Sequence, residues 1–476
     1  MDYSFLKSSE VNDECGIFGI YSNNTADDIS RIAFFGIFAL QHRGQESAGI
    51  ATTNGRELFL HREQGLVNQI FTETNLSELK GHAAICHTRY SATGASVKRS
   101  IQPMVAYTRY GEIALAHNGD MVNTGEIREL LKTKGIDFDT TSDSEVLLRL
   151  ISLSDKPTIQ EAVSQAMGVV KGAYAAVVLT KNEVIGFKDP KGIRPLSLGR
   201  LEDGTLAIAS ESCAFSTIGG QVIRELEPGE ILTLNRNGMT SIEGQKKQGN
   251  ALCIFEYVYI ARPDSNLNGI PVHLARKRMG EELARECPID GCDLVFPIPN
   301  TGVQAAVGLA EASGVPFAQA IVKNHYIHRT FIRPHQSMRE NAVKMKLIPL
   351  RELLDGKKVV MVDDSIVRGT TIGPTIDLIR GAGAKEVHVR IACPKYLYPC
   401  FYGIDTCNRD ELIATRMSED EIRQHIGADS LGYLSLEGLF KAVGKDAGNS
   451  CCAACLNGRY PVEIPDEYKK TKKLFV

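Results

Sequence analysis

The chain contains no tryptophan. It also lacks any run of roughly eighteen apolar residues, the length a helix needs to cross a bilayer, so no membrane span is expected. Its first fourteen residues, MDYSFLKSSEVNDE, hold no basic stretch followed by an apolar one, and so do not read as a secretory signal. An excess of charge of either sign is missing too. The 54 Lys and Arg nearly balance 57 Asp and Glu, and a net charge of -3 gives no electrostatic reason to expect nucleic acid or an anionic membrane as partner. Any anionic ligand must therefore be held by a local basic loop. The cytoplasm is the default compartment, and there 12 cysteines read as metal ligands, catalysts or small buried thiols before they read as disulfides.

What is present is an ordinary globular composition, 43% hydrophobic and 23% charged, over 476 residues, enough for two or three domains. From residue 15 to about 240 the sequence is strand-rich. ELFLHRE, AAICHTRY, EIALAHNG and YAAVVLT are short apolar runs, interrupted by helical patterns at TADDISRIAFFGIFALQHR, TGEIRELLKTKG and SEVLLRLISLS. ELEPGEILTLNRNGM reads as a closing hairpin with an Asn-Gly turn at Asn237 and Gly238. The polar GQKKQGN that follows suits a linker. From about 251 the strands CDLVFPIP, KKVVMVDD and EVHVRIAC have continuous apolar cores and alternate with helices. That pattern predicts an α/β unit with a parallel sheet covered on both faces. Beyond about 410 the sequence reads as short helices, ending in a cysteine-rich tail.

The most specific string is VVMVDDSIVRGTT, Val359 to Thr371. A buried strand ends in Asp363 and Asp364, then a small polar loop leads into a helix. That order places loop amides and a helix N-terminus at the carboxyl end of a parallel strand, where such sheets bind phosphates. Ser365, Thr370 and Thr371 supply hydroxyls, and Gly369 lets backbone approach an anion. Two carboxylates suit sugar hydroxyls or Mg²⁺ rather than phosphate. An isolated Asp-Asp would more often be a strand-end pair capping a helix. The full string resembles the phosphoribosyl pyrophosphate signature of type I phosphoribosyltransferases. By that resemblance Asp363, Asp364, Ser365, Arg368, Gly369, Thr370 and Thr371 bind the substrate. FPIPNTG, Phe296 to Gly302, looks like the pyrophosphate loop of that family, with Asn300 at a position usually acidic and Thr301 keeping a ligating hydroxyl for Mg²⁺ beside Asp363 and Asp364. VKNHYIHRTFIRPHQSMRENAVKMK, Val322 to Lys346, is either a solvated basic loop or a flap that closes over the diphosphate with Lys323 and Arg329. His328 stands where glycine is common, which predicts altered flap stiffness.

NDECGIFGIY, Asn12 to Tyr21, places the first cysteine at the leading edge of the first strand. A cysteine inside a chain needs a neighbouring base, whereas an N-terminal cysteine carries its own α-amine, with a pKa of ~7.7–8.0. The expectation is that residues 1–14 are a pro-segment and that Cys15 starts the mature chain. LQHRGQESAGI, HTRYSATG, AHNGDMVN and SDSE resemble, in this order, the motif set of N-terminal-nucleophile glutamine amidotransferases. The resemblance implies that Cys15 attacks the glutamine amide and Arg89 holds the glutamine carboxylate. It also implies that Asn118 and Gly119 stabilise the oxyanion and Asp143 pairs with the α-ammonium. Taken alone, HNG could be a turn and SDSE a helix cap. His87 reads as a strand histidine with a structural hydrogen bond rather than as a base. Cys86 and Cys213 read as core.

A glutaminase half followed by a phosphoribosyltransferase half resembles the amidophosphoribosyltransferase family, over Asn12 to about Pro461. The resemblance implies an N-terminal-nucleophile αββα fold over 15–243, an α/β phosphoribosyltransferase domain over 251–410 and a C-terminal helical segment, 411–476, carrying cluster-binding cysteines. It implies the first committed step of purine biosynthesis, in which ammonia from glutamine displaces pyrophosphate from the sugar with one Mg²⁺ per subunit. Feedback by purine nucleotides and a homotetramer are implied as well. NALCIFEYVYIARPDS, YPCFYGID and CAACLNGRYP resemble the branch with a pro-segment and a [4Fe–4S] cluster, with ligands Cys253, Cys400, Cys452 and Cys455. Structural zinc would accept the same four. Cys393 and Cys451 are read as non-ligands. Two competing functions are a hexosamine-phosphate type of glutaminase-coupled synthase, which lacks DDSIVRGTT, and a non-catalytic DNA-binding repressor on the phosphoribosyltransferase fold, which calls for a basic module.

Overall fold

The computed structural model describes residues 15–24, 28–90, 98–324, 346–406, 408–444 and 446–469. The expected pro-segment, residues 1–14, lies outside them, as do His328, Arg329 and most of the basic stretch around them.

The first half is two antiparallel sheets laid face to face. One has seven strands in the order Gly220–Glu225, Ser197–Leu201, Leu206–Ala209, Gly16–Tyr21, Ala83–Arg89, Ser47–Thr53, Leu58–Gln64. The other has six, in the order Gly238–Glu243, Glu230–Asn235, Glu183–Lys188, Gly172–Leu179, Gly111–Met121, Met104–Thr108. The strand period of two sorts the side chains. Ile17, Ile85, Ala114, Ala116 and Val177 fill the space between the sheets, where alanines let the layers approach. Phe18, Ile20, Ala84 and Cys86 point the other way, onto helix Ile29–Phe38. Ile113, Leu115, Ala176 and Val178 face helices Asp143–Ser152 and Ile159–Val169. Because both faces of each sheet are covered, central strands are apolar throughout rather than alternating. The layer order is the expected αββα.

The closing hairpin forms, but its turn sits one residue earlier than the Asn-Gly pattern implies. Asn235 pairs with Gly238, so Arg236 and Asn237 make the turn. Gly238 then takes a φ of 104°, where its lack of a Cβ is needed.

The second half is built on a four-stranded parallel sheet, Leu294–Pro297, Lys358–Asp363, Glu386–Ile391 and Ser430–Tyr433. The last of these lies in the stretch expected to be only short helices. SLGY is too brief for its period to register in the sequence. Helices Val272–Glu286, Val303–Ser313 and Ile372–Gly381 connect or flank these strands. The GQKKQGN segment runs along the first half, with Gln245 N donating to Gly229 O and Gln248 N to Pro190 O. It delivers Leu252–Cys253, which pairs in parallel with Cys451–Cys452 from the tail. No helix among the described residues is long and apolar enough to cross a membrane.

Candidate active sites

Strand parity brings the first group of residues together. Cys15 shares the parity of Ile17, Arg89 that of Ile85, and Asn118 that of Ala114 and Ala116; all these neighbours face the gap between the sheets. Gly16 pairs with Thr88, so Cys15 stands where strand Ala83–Arg89 ends. The Cys15 Sγ lies 4.0 Å from the Tyr90 carbonyl and is half-buried. Arg89 donates one guanidinium nitrogen to the Ser100 carbonyl at 2.9 Å.

Asn118 is 1% exposed, and its side-chain Nδ2 is buried with no hydrogen-bond partner. Leaving such a donor unpaired costs about 1–3 kcal/mol, and by strand parity this one faces the same gap as Cys15, where a ligand could take it up. Gly119 follows at φ 130°, and a Cβ there would lie 2.1 Å from the Ala173 carbonyl oxygen. Glycine is required by sterics as well as by backbone conformation. Asp143 begins helix Asp143–Ser152, capped by Ser142, whose side chain accepts from Ser144 N. The cap and the binding assignment are compatible: Asp143 Oδ2 accepts from Met121 N at 3.3 Å, tying the helix start to the strand that carries Asn118 and Gly119.

His87 is fully buried, and its Nε2 donates to the His117 carbonyl at 3.1 Å. Burial, reinforced by the Arg89 charge, lowers its pKa to about 3. It stays neutral, and its hydrogen bond ties the two sheets together. Cys86 and Cys213 are buried, with desolvation pushing both thiols up, as core cysteines should be.

A charged group absent from the expected set lies beneath the nucleophile. Arg43, fully buried, donates Nε to the Cys15 carbonyl at 3.1 Å. Its other nitrogens meet Glu211 at 2.6 Å and Glu256 at 2.8 and 2.9 Å. Glu211 also binds His42 Nε2 at 2.7 Å, Arg262 N at 2.8 Å and Ser265 Oγ at 2.7 Å. Burial alone would raise the Glu211 carboxyl; the His42 and Arg43 charges overcome it and hold the group well below the carboxylate range. One signal for this group stood in the sequence. Glu256 interrupts the apolar CIFEYVYI, and a lone acid in a buried run must be paired.

The second site lies at the carboxyl ends of two parallel strands. Strand Leu294–Pro297 leads to Asn300 and Thr301, and strand Lys358–Asp363 to Asp364 and Ser365. The Thr301 hydroxyl donates to Asp364 Oδ2, and Ser365 Oγ donates to Asp364 Oδ1 at 2.6 Å, so the two loops meet at one buried carboxylate. Asp363 Oδ1 accepts from Asp364 N at 2.9 Å. The donors are all oxygen, the ligand type a hard divalent cation takes. Thr370 is exposed, Gly369 has φ 75°, and Thr371 immediately precedes helix Ile372–Gly381 without a side-chain capping bond. Lys323 ends a short strand paired with Leu347–Pro349. Arg368 is held on one side by the chain itself. Its Nε meets Glu411 at 2.8 Å and its Nη2 donates to the Asp405 carbonyl at 3.1 Å.

The four expected ligand cysteines are all buried and free of disulfides. Cys253 pairs in register with Cys452. Burial raises the Cys455 thiol well above its ordinary value, and Cys400, Cys253 and Cys452 raise it further, so the four stand within electrostatic reach of one another. Among the described residues no three His, Cys, Asp or Glu are close enough to hold one metal ion. From Cys400 the chain continues past both sites. Arg194 donates Nε to the Tyr402 carbonyl at 3.0 Å. A Cβ on Gly403 would lie 2.8 Å from Arg194 Nη2 and 3.5 Å from the backbone of Gly119. Asp405 then receives Arg368.

Comparison with known proteins follows the same division. A glutamine amidotransferase domain family matches residues 87–217 and a phosphoribosyl transferase domain family residues 275–421. The amidophosphoribosyltransferase of Bacillus subtilis strain 168 is 45% identical over 458 residues, 95% of each chain. That of Methanothermobacter thermautotrophicus is 45% identical over 464 residues, 97% of each. A solved structure described as the allosteric regulatory enzyme of purine biosynthesis superposes with a TM-score of 0.90 at 45% identity, covering 96% of this chain and 99% of the other. Another, the glutamine phosphoribosylpyrophosphate amidotransferase of B. subtilis complexed with ADP and GMP, gives 0.89 at 45%, covering 95% and 98%.

Proposed function

The chain belongs to the amidophosphoribosyltransferases, and from that premise we propose how its residues divide the work. The enzyme catalyses the first step of purine biosynthesis, using glutamine and 5-phosphoribosyl 1-pyrophosphate. In this reading residues 1–14 are removed and Cys15 becomes the terminus, its own α-amine taking the thiol proton. The thiolate attacks the glutamine amide carbon while Arg89 and Asp143 hold the substrate's α-carboxylate and α-ammonium. Asn118 Nδ2 and the Gly119 N–H receive the oxyanion. The observation that carries this half is the buried, unpartnered Asn118 amide on the strand facing Cys15. Ammonia leaves, a thioester forms on Cys15, and water returns glutamate.

The ammonia then attacks C1 of the phosphoribosyl group and pyrophosphate departs. Asp363, Asp364 and Thr301 would hold Mg²⁺, which neutralises the leaving diphosphate when bound. Ser365, Gly369, Thr370 and Thr371 cradle the 5-phosphate with backbone amides and hydroxyls. Lys323, with Arg329 beyond the described residues, closes on the diphosphate. Arg368, oriented by Glu411 and the Asp405 carbonyl, adds its charge to the same loop. Cys253, Cys400, Cys452 and Cys455 would hold a [4Fe–4S] cluster. Four buried thiols within electrostatic reach of one another suit such a group. The cluster's role is structural, since the reaction transfers no electrons. The relative solved with ADP and GMP supports purine nucleotides as regulators of this chain too.

Intact mass and N-terminal sequencing of active enzyme, with iron and sulfide analysis of anaerobically purified protein, test the leader and the cluster together. Active enzyme that retains Met1 to Glu14, or a C15S variant that still consumes glutamine, overturns the glutaminase assignment. Full activity without iron overturns the structural cluster.

A further inference from the structure

We propose that Glu256, which the chain supplies after the linker and thus from the phosphoribosyltransferase side, is a positioning residue for the glutaminase nucleophile. It acts through Arg43. The inference rests on the assignment of Cys15 as nucleophile and goes beyond it by naming what fixes that residue from the other half.

Arg43 Nε holds the Cys15 main-chain carbonyl at 3.1 Å, and its terminal nitrogens are claimed by two acids from distant parts of the chain. Glu211 follows the strand Leu206–Ala209 and meets one nitrogen, at 2.6 Å. Glu256, in the helical turn Glu256–Ile260, meets both in a bidentate fork at 2.8 and 2.9 Å. Arg43, Glu211 and Glu256 side chains are all 0% exposed. A guanidinium so buried has no water to fall back on, so its orientation is set by its anionic partners. Glu211 engages one terminal nitrogen, whereas Glu256 engages both and so restrains the guanidinium plane more tightly. With the plane restrained, Nε stays on the Cys15 carbonyl and limits the tilt of the residue that precedes strand Gly16–Tyr21. A nucleophile misplaced by about 1 Å can lose on the order of 10²-fold in rate. The glutaminase fold therefore does not complete its own active site, because one anchor of its nucleophile lies beyond the linker.

The test is E256Q and E256D in the full-length holoenzyme. Each is assayed for glutamine hydrolysis, for ammonia-dependent phosphoribosylamine formation, and for alkylation of Cys15 by a glutamine-analogue diazoketone and by iodoacetamide. E256Q should lower glutaminase kcat by about ten- to hundredfold with the glutamine KM changed less than about threefold. Ammonia-dependent synthesis should stay within about twofold of wild type, because that half keeps its own fold. Diazoketone labelling, which needs thiol and glutamine pocket aligned, should slow in proportion to kcat, while iodoacetamide labelling should not change. E256D, which keeps the charge but withdraws it by one methylene, should fall between wild type and E256Q. Glutaminase kcat in E256Q within twofold of wild type overturns the inference while leaving Cys15 in its role. Parallel loss of both activities in E256D also overturns it, because Glu256 would then merely hold the protein together. Failure of the nucleophile assignment itself would show separately, as glutamine use in C15S.

Discussion

Replacing Asn118 by alanine should separate catalysis from stability. In the resting enzyme its Nδ2 is buried without a partner, at a cost of about 1–3 kcal/mol to the folded state. On the proposed assignment, the same group gains the developing oxyanion in the transition state. Oxyanion donors of this kind contribute about 2.7–4 kcal/mol, so N118A should lose 10²–10³-fold in glutaminase kcat. The stability term has the opposite sign. Alanine removes the unpaired donor, and that gain offsets the packing lost with a small side chain. The thermal midpoint should therefore shift by no more than about 4 °C in either direction. N118D, of equal size but without the donor and with a negative charge facing the oxyanion, should be at least as inactive. The assays are steady-state glutamine hydrolysis and thermal unfolding of the same preparations. A glutaminase kcat above about one third of wild type in N118A would refute the oxyanion role. A large fall in thermal midpoint would show that the amide has a partner in the resting state.

Three further outcomes are expected. D364N should lower phosphoribosylamine formation at least about a hundredfold whether glutamine or ammonia supplies nitrogen, because it halves the charge of the acid pair where the two strand-end loops meet. His87, with a folded pKa of about 3 against an ordinary 6.5, is neutral when folded. Its contribution is intact above about pH 6.5 and is lost as pH falls toward 3, since only the unfolded chain takes up the proton. The urea midpoint should drop between pH 7 and pH 5, and less steeply in an H87N variant. G403A should cost about 1–3 kcal/mol in urea unfolding, since φ is 128° and the new methyl would meet Arg194.

Much of the fold could be read from the residues, for an identifiable reason. Strands such as YAAVVLT and VVMV are covered on both faces, so they appear as unbroken apolar runs that no surface helix would show. The SLGY strand escaped because four residues carry too little periodicity. The hairpin turn lies one residue before the Asn-Gly pair because Gly238 follows the turn and pairs with Asn235. In the sites, residues within one contiguous motif, such as Asp363 to Thr371, were legible together. Those assembled across the chain were not. Glu211 and Glu256 lie 168 and 213 residues from Arg43, and no local pattern encodes that meeting. Arg368 shows the reverse limit: a motif gives its neighbourhood but not which way its guanidinium turns, and here Glu411 decides that.

The ribbon from Cys400 to Asp405 has a consequence for how the enzyme fails. Within six residues it runs from a thiol of the cysteine group, past the backbone of Gly119, to the carbonyl that receives Arg368. Damage that unseats Cys400 therefore reaches the amide-cleaving end and the sugar-phosphate end by one short length of backbone. A molecule wired this way should switch off as a whole. It should not decay into a half-enzyme that keeps spending glutamine with nothing downstream to accept the nitrogen.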